Sequence, residues 1–280
     1  MKLQGVIFGV QIYDIEHPFV KYYLQSNIKP LFYGDFQGIK RVFLEKLKFN
    51  MESISKIYFI DNPYPNGHKI ETFSWSGRID EYGFIWFDFH LKTENYYAND
   101  DENCEEEDED LSDWDSKIVW GNYHACTLSS NYWGEQRGIR INNLDEKLDF
   151  DTVVNNDLFS NDLPSEHNFD DDDLAFNIYL LGHDSCAGHQ IRFSKKEDNL
   201  YDITWTGKIA LTYAGDDEFS HDFKAEIFNA EFEGFHYPKT WSLEKATEMF
   251  KTRLANFEAY EFVDLNPKSN KREYKLDKLK

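Results

Sequence analysis

The chain has 280 residues, enough to bury a sizeable core as one large domain or two smaller ones. Its 52 acidic and 30 basic side chains leave a formal net charge of −22. That charge argues against nucleic acid and anionic membranes as ligands, because phosphate would be repelled. Aromatic residues make up 17%, which favours strands over helices, and no apolar run reaches the roughly 18 residues that span a bilayer.

Residues 3–15 alternate and read as a first strand; without a small-residue cleavage site they do not fit a signal peptide. Asp35 is placed to cap a helix over about 36–49, with Ile39, Val42, Phe43 and Leu47 as its apolar stripe. Residues 54–60 read as a strand, and the Pro- and Gly-bearing stretch 61–67 supplies turn chemistry.

The next strand, residues 70–91, carries Trp75-Ser76-Gly77-Arg78-Ile79, which is echoed by Trp205-Thr206-Gly207-Lys208-Ile209 in residues 200–227. In the later copy Tyr201, Ile203 and Trp205 alternate with Leu200, Asp202 and Thr204, the period of a half-buried strand. A glycine inside such a pattern marks a bulge or the close approach of a neighbouring ring. Trp75, Gly77, Trp205 and Gly207 are therefore assigned structural roles, with both indoles in a core.

Residues 99–115 hold eleven carboxylates and no base, so half of the charge excess sits in one segment. Such a run cannot pack as a core strand and reads as a linker or loop. Residues 157–173 add seven more carboxylates, again without Lys or Arg. Between them, residues 117–128 read as a strand through Ile118, Val119 and Trp120. Residues 138–141 open a hairpin that returns through 148–153, and residues 188–193 open another that returns through 200–205. Ser242 caps a second amphipathic helix over about 243–257, and residues 260–265 form a last strand. The expected fold class is α+β: mainly antiparallel β, as stacked hairpins in sandwich-like sheets, with two amphipathic helices. The expected division is a β-rich module at 1–98, an acidic linker at 99–116, a second β-rich module at 117–266 and a loose basic tail at 267–280.

Three scattered cysteines, Cys104, Cys126 and Cys186, do not make a disulfide framework and fit a reducing, cytoplasmic setting. His183, Cys186 and His189 lie within seven residues on an expected turn, so they are the candidate ligands of a Zn²⁺ ion, or a thiol nucleophile with its base. The spacing matches no standard zinc finger, and no P-loop or dinucleotide fingerprint is present. The expected function follows from charge. A non-enzymatic acidic module would capture a basic protein partner, the electrostatic profile of an immunity-type antitoxin facing a toxin's basic cleft. Its contact residues would be Glu105, Glu106, Glu107, Asp108, Glu109, Asp110, Asp170, Asp171 and Asp172, with Trp114 as an aromatic anchor amid the acid. No cofactor is required for this role. The alternatives are a metal-dependent hydrolase using the 183–189 turn and a carbohydrate-binding sandwich that exposes Trp75 or Trp205.

Overall fold

The structure, a computed structural model, describes the backbone of residues 2–7, 10–14 and 23–24, and residues 54–99, 111–133, 137–156, 158–164, 174–270 and 272–279. The chain divides into two compact units, 1–52 and 53–280. In the first, β1 (Lys2–Ile7), β2 (Val10–Asp14) and β3 (Tyr23–Leu24) form a three-stranded antiparallel sheet. The alternating residues 3–15 thus fold as a hairpin of two strands. The expected helix over 36–49 lies outside the described residues.

The second unit is built on a closed barrel. Its strands are β4 (Lys56–Phe59), β5 (His68–Ile79), β6 (Ile85–Thr93), β7 (Thr127–Ser129), β10 (Phe176–Tyr179), β11 (His183–Lys195), β12 (Leu200–Ala210) and β13 (His221–Glu231). They pair in the order β5-β4-β13-β12-β11-β10-β7-β6, and β6 pairs β5 to close the ring, every pairing antiparallel. Two short strands extend the wall: β8 (Ile139–Arg140) on β6 and β9 (Leu158–Ser160) on β11. β14 (Phe235–His236) runs parallel to β5, and β16 (Tyr274–Lys278) and β15 (Tyr260–Asp264) follow it outward as a flange. The expected sandwich is therefore a barrel, in which closure leaves none of the eight strands as an open edge.

Strand alternation points the aromatic residues inward. Trp75 packs on Phe87, Phe89, Phe193 and Tyr201, and Trp205 on Phe89, Phe176 and Phe223; both indoles are fully buried. Gly77 is away from any register shift, whereas Gly207 faces the one in β11 between Ala187 and Gln190. A Cβ on Gly77 would lie 2.2 Å from Phe235, and one on Gly207 2.6 Å from Phe223 and 2.7 Å from His189 Nδ1. Close ring approach is what both positions require, joined at Gly207 by a bulge in the neighbouring strand.

Three helices occur among the described residues: α1 (Lys117–Tyr123), α2 (Phe150–Asn156) and α3 (Leu243–Arg253). α1 replaces the strand expected at 117–128. Ser116 Oγ accepts from Val119 N at 3.4 Å, and Trp120 Nε1 donates to the Trp114 carbonyl at 2.8 Å. α2 replaces the return arm expected at 148–153, with Asp149 Oδ1 accepting from Thr152 N at 3.3 Å and Phe150 and Val154 buried one turn apart. α3 begins at its Ser242 cap as expected but ends at Arg253, because Leu254 is extended and bridges Leu148. None of these helices is long and apolar enough to cross a membrane.

The domain division also changes. Strands on both sides of the acidic run share the barrel, with β4 on β13 and β6 on β7, so 99–116 does not separate two modules. The basic tail is not loose, since β16 pairs with β15 along five residues.

Candidate binding surface

The acidic residues Glu105, Glu106, Glu107, Asp108, Glu109, Asp110, Asp170, Asp171 and Asp172 lie outside the described residues. Trp114 belongs to the core and not to a partner surface. Its ring stacks on His221 at 3.9 Å, meets Phe59 edge-on, and its Nε1 donates to the Ile60 carbonyl at 3.0 Å.

The expected metal trio is on β11, not on a turn, and its members go separate ways. His183 faces solvent, and buried Cys186 donates its thiol to the Phe176 carbonyl at 3.4 Å. His189 is sealed in the barrel, where its Nδ1 accepts from Trp205 Nε1 at 3.1 Å. Burial lowers the His189 pKa to about 3, so the ring is neutral at pH 7. No group of three His, Cys, Asp or Glu side chains among the described residues is placed to hold a cation. Among the described residues the hydrolase reading finds no metal cluster, and the Cys186 thiol is buried. The exposed indole that a sugar-stacking sandwich needs is not found at Trp75 or Trp205.

What the fold does assemble is a row of outward rings. His90 on β6 stacks on Tyr132 at 5.2 Å, Tyr132 meets Trp133 at 5.1 Å, and Trp133 meets His183 at 6.4 Å. The row goes on from His183 to Tyr179 on β10 at 5.3 Å, to Tyr123 at 6.2 Å and to Tyr213 at 6.4 Å. Tyr132 and Tyr213 are each 64% exposed and Trp133 is 37% exposed.

Local chemistry explains the placement. His90 lies between inward Phe89 and Leu91, and Tyr179 follows inward Ile178, so the strand period turns both outward. After β7, Ser129 Oγ accepts from Asn131 N at 3.3 Å and Tyr132 N at 3.2 Å, a hydroxyl-closed turn that sets Tyr132 and Trp133. At the other end, Asp184 carboxyl oxygens accept from Leu181 N at 2.9 Å and Tyr213 N at 3.4 Å. Gly182, at φ +141°, leaves room for the Tyr213 ring, which would stand 2.4 Å from a Cβ there.

Electrostatically the two ends of the row differ, with Lys92 near His90 and carboxylates near Tyr123. Burial, then Lys92, lowers the His90 pKa, which keeps that ring neutral at pH 7. The Tyr123 pKa is raised by burial, then by Tyr213 and the Asp113 and Asp184 carboxylates. Faces of Tyr and Trp beside carboxylates suit a cationic side chain, which gains from ring quadrupole and charge together. Sequence reasoning missed the row because its seven rings come from six separate segments; only the adjacent pair Tyr132-Trp133 in a polar stretch was visible. Comparison with protein-family profiles, curated proteins and solved structures yields no match for this chain.

Proposed function

We propose that this protein is a non-enzymatic, cytoplasmic binding module that receives a basic protein partner, as an immunity-type antitoxin receives a toxin. The observation that carries the reading is the exposed aromatic row from His90 to Tyr213, set on a chain of net charge −22. Tyr and Trp are the residue types that dominate binding energy at protein interfaces, and complementary charge speeds and selects the encounter. The acidic residues around 105–110 and 170–172 supply the long-range attraction in this scheme, while the row supplies the short-range anchor. Three cysteines scattered along the chain accord with a reducing compartment.

The test is to recover binding proteins from the producing cells and titrate the purified basic candidate at low and physiological salt. Affinity is expected to fall as salt rises. Replacing Trp133 and Tyr213 by Ala should cost about 2 kcal/mol or more, roughly a thirtyfold loss. A partner whose affinity ignores both salt and these substitutions would refute the proposal.

A further inference from the structure

The flange of β14, β16 and β15 stands over the outer face of β5 and β6 and leaves a groove of about 1130 Å³. This volume is slightly above the roughly 300–1,000 Å³ that small-molecule pockets occupy. The floor is the outward side of the first tryptophan strand, Ser74, Ser76 and Arg78, with Asp88 paired opposite Ser76. Ser76, Arg78 and Asp88 are 9%, 7% and 4% exposed. Arg78 Nε is 2.9 Å from Asp88 Oδ2, an ion-pair contact and not an aligned hydrogen bond, and Arg78 also donates to the Arg137 carbonyl. Ser130 Oγ donates to Asp88 Oδ1 at 3.0 Å. By contrast, neither the Ser74 nor the Ser76 hydroxyl has a hydrogen-bond partner among the described residues, and both line the groove. Ser76 is buried and Ser74 half-buried, and both hydroxyls are open to the groove, where a ligand can take their hydrogen bonds in place of water.

The cations in the lining are matched within the protein. Arg78 is paired with Asp88, Lys239 with Glu273 at 3.1 Å, and Arg272 with Asp264. Asp80 accepts from the backbone of Tyr82 and Phe84 and from Trp86 Nε1. Glu81 and Glu233 remain, both exposed at the rim. Matched pairs offer a strongly charged ligand little, since each ion already has its counter-charge. They offer a neutral ligand fixed donors and acceptors in both directions. Tyr237, Trp241 and Tyr274 line the walls and supply ring surface for C–H faces.

We propose that this groove binds a neutral, polyhydroxylated ligand, a short oligosaccharide. The site is distinct from the aromatic row, although Asn131 of its lining is next to Tyr132. The full chain is titrated calorimetrically with neutral tri- and tetrasaccharides of glucose, galactose, mannose, xylose or N-acetylglucosamine, at about 50 and about 500 mM salt. Saturable binding by at least one, unchanged by salt, is expected. The double substitution S74A/S76A, with an unaltered melting temperature, weakens it about tenfold through the two lost hydroxyls. Tyr237→Ala weakens it as well, whereas Trp133→Ala leaves it intact. Failure of every saccharide to bind, full binding by S74A/S76A, or suppression by salt would each overturn the assignment. None of these outcomes touches the basic-partner reading, whose variants lie on the row.

Discussion

Gly77 stands opposite Phe87 across β5–β6, and Gly207 opposite Phe223 across β12–β13, so both tryptophan strands pair their glycine with a phenylalanine. Each copy also carries an ion pair on its outer face at the same separation: Arg78–Asp88 at 2.9 Å and Lys208–Asp222 at 2.9 Å. The surroundings differ. The flange covers the first pair, while both members of the second are more than a third exposed. One strand plan therefore yields a buried polar floor in one place and a solvated wall in the other. What lies above the strand, not the strand itself, sets the worth of its charges.

The inner faces test how alike the copies are. Trp75→Ala and Trp205→Ala should each cost about 3–5 kcal/mol in urea unfolding, since both leave large core cavities. Phenylalanine substitutions should separate them. Trp205 Nε1 donates to His189 Nδ1, whereas Trp75 Nε1 has no partner among the described residues. Trp205→Phe is thus expected to be about 1–2 kcal/mol worse than Trp75→Phe; equal costs would erase this difference between the copies.

The outer faces should part more widely. Asp88→Ala leaves the Arg78 charge buried without its partner, at a cost of about 3–5 kcal/mol. Asp222→Ala removes half of an exposed pair, at about 0–1 kcal/mol. Similar losses for the two in chemical denaturation would show that the flange does not desolvate the first pair.

The same floor sets a pH dependence. Burial raises the Asp88 pKa to about 6, against the opposing pull of Arg78 and Ser130. Between about pH 4 and pH 6 the folded chain holds a proton on Asp88 that the unfolded chain releases. Stability from this group therefore falls as pH rises through that window, by on the order of 3 kcal/mol. His68 and His189 act in the opposite sense. Burial, joined for His68 by Lys56, lowers their pKa values to about 4 and about 3. Their contribution is present above pH 6.5 and is lost as pH falls toward those values. Asp88→Asn should hence show stability rising more steeply with pH than the parent between pH 4 and 6; parallel curves would contradict the buried ionisation.

The glycines give an intermediate effect. Gly77→Ala and Gly207→Ala should each cost about 1–3 kcal/mol, because a methyl group forces a buried ring to move. Gly77→Ala should additionally loosen β14, whose Phe235 occupies the space and pairs with Gly77, and so raise proteolysis in the flange. An unchanged cleavage pattern would mean that the ring shifts at no cost to the pairing.

Much of the strand layout was legible. The β11–β12 hairpin, the return through β13 and the Ser242-capped helix all show their period in the sequence. The two short helices were misread because seven-residue apolar stretches such as those at α1 and α2 satisfy either period. Their caps at Ser116 and Asp149 and their packing decide between them. The metal trio failed for a related reason. Alternation turns His183 outward, away from Cys186, and although the register shift between Ala187 and Gln190 turns His189 inward like Cys186, its Nδ1 is taken by Trp205 Nε1. Trp114 was misjudged from its acidic neighbours, although Phe59, Trp120 and His221 enclose its ring.

Local pattern by itself determined that this chain is β-rich, that it is strongly acidic and that a tryptophan–glycine strand occurs twice, because period, charge and repetition are properties of neighbouring residues. Barrel closure, the aromatic row and the groove beneath the flange were decided only in three dimensions. Each depends on pairings between segments tens of residues apart, such as β5 with β14 and β4 with β13, and no local period encodes which distant strand a given edge will meet.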